Sequence, residues 1–301
     1  MEKRVSNTVA DKFQAFLDNI AIEHNDFIVE TFRTIARHMN NAYWGNRSDT
    51  RNAHFIGSYG RGTAIKGVAN INILVELPQR VQKRLEVWQQ KAPRVLIEEV
   101  RELISDIYPL VQISDQCHIV IPSPHKLQFE IIPAFVGLKK SFIYPDLNDI
   151  TGWSSFNPLR EIEVLEESNF RYTGKTKHLA RMMRAWRTTR QIPISGMLLD
   201  TLVVSFMDEW ENNDTSFAYY GIMSRDFLEY LAGRRKNQVV YYAQGSNREL
   251  FSPEDFGYYA NEDFKIAAEA VMHEDNEKHY QANKLWQQIY GPLFPDIMAM
   301  L

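Results

Sequence analysis

Cysteine is nearly missing: Cys117 stands alone among 301 residues, so no internal disulfide can form and a reducing compartment is expected. None of the eight histidines has a zinc-like spacing to it, which argues against a structural zinc. Long apolar runs are missing too. The most apolar stretch, Ile194 to Met207, is too short to span a bilayer and carries Asp200. The opening MEKRVSNTVADKF is charged with no apolar run behind it, so it does not read as a secretory signal. There is no excess of basic residues either. A net charge of −4 disfavours a dedicated nucleic-acid wrapper but leaves room for a locally basic pocket that takes triphosphates. Low-complexity tracts, internal repeats and obvious linkers are not seen. What is left is a cytoplasmic globular chain, either one large domain or two lobes sharing a cleft.

Val9, Phe13, Phe16, Leu17 and Ile20 recur at helical spacing, and so do Phe27, Ile28, Phe32, Ile35 and Met39. They predict two helices, or one long helix broken near His24-Asn25-Asp26. The texture then turns to strands. Ala53–Ile56 leads into the glycine-rich turn Gly57-Ser58-Tyr59-Gly60-Arg61-Gly62-Thr63, and the run from Ile71 to Leu77 is closed by Pro78. Residues 93–108 predict a helix, followed by strands over 111–121 and 127–132. Beyond about Trp153 the strand texture ends, and 179–189, 196–211, 224–232, 262–273 and 276–289 read as helices. The fold class is therefore α+β: a mixed β-sheet with flanking helices over 1–152, then an all-helical lobe over 153–301.

The turn at Gly57-Ser58 can present backbone N–H groups and a hydroxyl to phosphate oxygens, glycine allowing close approach. Residues 70 and 72 of the next strand point to one face. In phosphoryl-transfer sites such positions hold carboxylates. A third acid from a neighbouring strand completes a grip on two divalent ions about 3.5–4 Å apart. Glu130, between Phe129 and Ile131, is placed to be that acid.

The run from Gly57 to Val75 closely resembles the cGAS/DncV-like nucleotidyltransferases (CD-NTases) of bacterial CBASS anti-phage systems, which have a polymerase-β-like core. The likeness continues in Ile143-Tyr144-Pro145-Asp146, Trp153 and Asn157-Pro158. Further on it takes in 179–186, with a basic residue two before Trp186, the serine-bearing helix start at 193–200, and 286–295. The resemblance implies that two nucleoside triphosphates bind between lobes, a hydroxyl attacks an α-phosphate, and a second round closes a cyclic oligonucleotide. Two Mg²⁺ or Mn²⁺ ions neutralise the developing charge. It implies phosphate contacts at Gly57, Ser58, Arg184 and Ser195, base reading at Asn169, and metal and catalytic positions at 70, 72 and 130. At two of these the chain departs from the family's Asp-x-Asp: it has Asn70 and Asn72. Asparagine is neutral and offers one carbonyl oxygen, so the site falls from three formal charges to one, and little or no activity is expected. Such a pair of changes fits either a deliberate substitution that traps substrates or a natural pseudoenzyme.

Ordinary readings stand beside these. Arg181, Arg184, Arg187 and Arg190 recur every third residue, as on a solvated face, with a phosphate role for Arg184 alone. Ser195 is a plausible helix N-cap, which is compatible with phosphate binding. Asn169 is equally a turn residue, and Trp153, Trp186 and Trp286 are core candidates. Competing functions are a nucleotide-binding pseudoenzyme and a tRNA-tailing, poly(A) or aminoglycoside nucleotidyltransferase. A monomer, with a possible regulatory partner protein and neither stable nucleic acid nor membrane as partner, is expected.

Overall fold

The computed structural model describes residues 8–116, 118–211, 216–234, 238–252 and 255–296, so Cys117 lies outside the described residues. The chain divides into two units, each interrupted in sequence. One is residues 22–61 with 67–162; the other is 1–21, 62–66 and 163–301.

The first unit is built on a seven-stranded sheet. β1 (Ala53–Ile56), β2 (Asn70–Glu76), β5 (Gln128–Val136), β4 (Ile119–Pro122) and β3 (Gln112–Ile113) lie side by side in that order. β6 (Phe142–Pro145) pairs with β5, and β7 (Trp153–Phe156) with β6. β2 and β5 run parallel while the other pairs are antiparallel. β2 lies in the middle because both of its faces are apolar over most of its length. Ile71, Ile73 and Val75 bury on one side against α2 (Asn25–Trp44) and α5 (Ala92–Ser105), and Leu74 buries on the other with Ile132, Ala134 and Phe142. Asn70 and Asn72 share the face of Leu74 at the strand's open end. α2 offers Ile28, Phe32, Ile35 and Met39 to the core, and it ends at Gly45, whose φ of 66° and N–H bond to the Asn40 carbonyl make a left-handed cap.

The second unit is helical: α1 (Val9–Asn19), α7 (Lys175–Arg190), α8 (Gly196–Glu209), α9 (Tyr220–Ala232), α10 (Phe256–Asp275) and α11 (His279–Tyr290). Its core is aromatic. Phe13 meets Trp286 edge-on at 5.4 Å, and Phe16 lies 4.7 Å from Tyr290. Trp186 and Trp286 are fully buried.

Three local features differ from the sequence expectation. The segment 111–121 is two strands, β3 and β4, joined by a turn. Strand structure continues past Trp153 as β7 and as a hairpin of β8 (Val240–Tyr242) and β9 (Glu249–Phe251) inside the helical half. The helices α4 (Gln79–Leu85) and α6 (Pro158–Arg171) also escaped the apolar-period reading. In packing, α1 belongs with the helical unit, whereas a single cut at 152/153 would leave it with the sheet; Phe13 and Phe16 account for this by lying among C-terminal aromatics.

The helical unit carries a pH-sensitive group. Burial, with help from the Arg181 cation, pushes the His178 imidazole down to about 4. His178 lies 2.7 Å from the Tyr220 hydroxyl. The unfolded chain titrates this group near 6.5, so below that pH it binds a proton that the folded state refuses. Stability is expected to fall as pH drops from about 6.5 to about 4, by at most about 3 kcal/mol. Melting curves across that range test this: His178→Gln should flatten the slope, and an unchanged slope would refute it.

Candidate active site

The turn after β1 forms a single helical turn, α3 (Gly57–Gly60). Gly57 has φ 66°, a left-handed conformation that glycine adopts freely. A Cβ there would stand 3.4 Å from the Asn72 amide, so the turn passes directly over that side chain. Ser58 follows, half-buried in the same turn.

The parallel pairing of β2 with β5 sets Asn72 opposite Glu130 and Asn70 opposite Gln128. Side-chain alternation then brings Asn70, Asn72 and Glu130 together on one face. Asn70 Nδ2 donates to Glu130 Oε1 at 2.5 Å, and Asn72 Nδ2 donates to Oε2 at 3.1 Å. His118 Nδ1 lies 3.2 Å from the same Oε2. Glu130 and His118 are both nearly buried, with 12% and 13% of their side chains exposed. The carboxylate is thus hydrogen-bonded on both oxygens, which is how a buried charge is made tolerable.

His118 was not singled out from sequence. It precedes β4, and β4 pairs with β5 so that Val120 faces Glu130. Residue 118 shares that side by alternation, a signal hidden when 111–121 is taken as one strand.

In the helical unit Arg184 and Ser195 come together. Ser195 caps α8, its hydroxyl accepting from Leu198 N–H at 3.1 Å. Arg184 Nη2 donates to the Gly196 carbonyl at 2.9 Å and to Asp200 Oδ2 at 2.7 Å, while Nε donates to Asp200 Oδ1 at 3.2 Å. A Cβ on Gly196 would collide with Arg184 Nη1 at 2.4 Å, so glycine is what admits the guanidinium. Thr63 Oγ1 also donates to Asp200, at 2.9 Å. Asn169 sits in the last full turn of α6, where its Oδ1 accepts from Lys177 N–H at 3.0 Å and helps start α7. Of the other arginines in the α7 row, Arg181 donates to the Gly62 carbonyl and Arg190 pairs with Asp263 at 2.9 Å.

Two divalent ions, as the resemblance implies at 70, 72 and 130, do not fit this donor set. Glu130 is the one carboxylate there, and its oxygens already face N–H donors. Among the described residues no group of three or more His, Cys, Asp or Glu is arranged to hold a metal. Magnesium asks for anionic oxygen, and the amides supply none.

The Second Messenger Oligonucleotide or Dinucleotide Synthetase (SMODS) domain matches residues 8–169. A probable cyclic nucleotide synthase from Bacillus cereus (strain VD146) is 27% identical over 184 residues, covering 56% of this chain and 51% of that protein. The chain thus spans about half the length of that curated relative. Among solved structures, Escherichia coli MS115-1 CdnC with ATP superposes with a TM-score of 0.65 at 14% identity, over 96% of this chain and 100% of that one. The STING-associated CdnE c-di-GMP synthase of Capnocytophaga granulosa gives 0.66 at 12% identity, over 93% and 86%. The cyclic AMP-GMP synthase DncV of Vibrio cholerae gives 0.62 at 13%, over 97% and 89%. At such identities these likenesses speak for the fold, a polymerase-β-like core with a helical C-terminal part. With more than half its length matched, the chain belongs to the SMODS family and carries the CD-NTase scaffold of a cyclic nucleotide synthase.

Proposed function

We propose that this chain is a nucleotidyltransferase scaffold that links nucleoside triphosphates into a cyclic oligonucleotide for anti-phage signalling, and that Asn70 and Asn72 leave it inactive or nearly so. One observation carries the reading: the strand register sets residues 70 and 72 beside Glu130, the arrangement a two-ion phosphoryl-transfer site requires, with amides where carboxylates belong. An aspartate-bearing form would take Mg²⁺ or Mn²⁺ there. Gly57 and Ser58 would hold phosphate, with Arg184 and Ser195 as further phosphate contacts and Asn169 reading a base. The two lobes keep the division 1–152 and 153–301.

The substrates are nucleoside triphosphates, and the setting is the cytoplasm; among the described residues no helix is long and apolar enough to cross a membrane. Escherichia coli CdnC is known in complex with a HORMA protein. A regulatory protein partner for an otherwise monomeric chain belongs to this reading. The SMODS match displaces the tRNA-tailing, poly(A) and aminoglycoside alternatives. A second reading, a nucleotide-binding pseudoenzyme, is favoured by the closed hydrogen bonding around Glu130.

The test gives this chain and its Asn70→Asp, Asn72→Asp variant the four NTPs with Mg²⁺ or Mn²⁺ and identifies products by mass. A cyclic oligonucleotide from the variant alone is expected. No turnover by either, even with manganese, would sink the synthase reading and leave the pseudoenzyme.

A further inference from the structure

Around Glu130 the hydrogen bonds run in the opposite sense to those of a cation site. Aspartates at 70 and 72 would present acceptors only, so that metal ions must stand between them and a polyphosphate. The amides instead present donors. Each asparagine amide has two N–H bonds. Asn70 and Asn72 each give one to Glu130, at 2.5 and 3.1 Å, which leaves each a second. Asn70 is exposed and Asn72 half-buried, and Gly57 keeps the space over the Asn72 amide clear of any side chain. The one remaining carboxylate is turned in on its own donors, with His118 Nδ1 at 3.2 Å as the further contact. An anion approaching this face meets N–H groups and one compensated negative charge, where the aspartate pattern would set three bare ones.

We propose that this cluster takes the polyphosphate of a nucleoside triphosphate in its metal-free form. The inference rests on the nucleotide reading above and adds that binding here needs no divalent cation. Magnesium acts as a competitor: a chelated triphosphate has its oxygens engaged by the ion and the ion's waters, and those are the oxygens the amides would bind. His118 serves as a positioning residue that holds Glu130 turned towards the amides.

Calorimetric titration of the whole chain with ATP, GTP, CTP and UTP in turn, in EDTA and then in excess Mg²⁺, tests this. The same titrations on Asn70→Asp, Asn72→Asp provide the comparison. For this chain, binding at least as tight in EDTA as in Mg²⁺ is expected; for the variant, binding about tenfold or more weaker in EDTA. Mn²⁺ alone, followed by its electron paramagnetic resonance, should remain free with this chain and bind to the variant. Binding by this chain more than about threefold tighter with Mg²⁺, or uptake of Mn²⁺ alone, would overturn the inference. So would a variant that binds Mg²⁺-nucleotide beside a chain that binds none, and that outcome leaves the nucleotide reading intact. If neither protein binds any of the four, both fall.

Discussion

Restoring aspartate at both 70 and 72 should raise nucleotide turnover by about a thousandfold or more. The basis is charge. Phosphoryl transfer demands little covalent chemistry and much electrostatic stabilisation, and a loss of ~4 kcal/mol at the transition state is already a factor of about a thousand. The same double variant should be the less stable protein without metal. It exchanges two N–H···carboxylate bonds, each of a kind that contributes about 1.5–3 kcal/mol, for contacts between like charges around Glu130. A loss of about 3 kcal/mol in EDTA, or roughly 5–10 °C in Tm, is expected, with recovery on adding Mn²⁺. Turnover is read by pyrophosphate release and stability by thermal melting with and without metal. A variant that melts like the parent in EDTA would mean that the three side chains are not mutually close.

The second large effect is expected at Asp200, far along the chain from that cluster. Its side chain is 1% exposed, and it holds Arg184, itself 12% exposed, together with the buried hydroxyl of Thr63. Asp200→Ala leaves a nearly buried guanidinium without its counter-charge, a change that costs about 3–5 kcal/mol. Tm should fall by roughly 10 °C, and Asp200→Asn, which keeps an acceptor for Thr63, should recover part of the loss. A fall of no more than a degree or two would show that Arg184 finds another partner.

Asp200 also marks how far sequence could be read. In the run from Ile194 to Met207 it looks like a polar interruption that merely rules out a membrane span. Its partner lies 16 residues earlier on another helix, and no local pattern announces the pair. His118 is the same kind of case, brought to Glu130 by the pairing of β4 with β5. Gly57, Asn70 and Asn72 were legible because turn chemistry and strand alternation act within a few residues, and Glu130 stood out as an acid inside an apolar strand. In the fold, β2 and the helices α1, α2 and α5 show plainly because each buries a wide apolar face at a regular period. α6 did not show: its apolar positions are few, and polar residues fill the rest. The three-residue strands β8 and β9 are too short for alternation to register.

The interleaving of the two units along the chain bears on synthesis at the ribosome. Phe13 and its partner Trp286 are 273 residues apart (286 − 13). At ~5–20 residues per second that is roughly 15–60 s of translation. Throughout that interval α1 carries Phe13, Phe16 and Leu17 with none of the C-terminal aromatics they finally pack against. The sheet unit's two segments, by contrast, have all been made once residue 162 has emerged. The nascent chain can therefore close its sheet early while its first helix waits for the last.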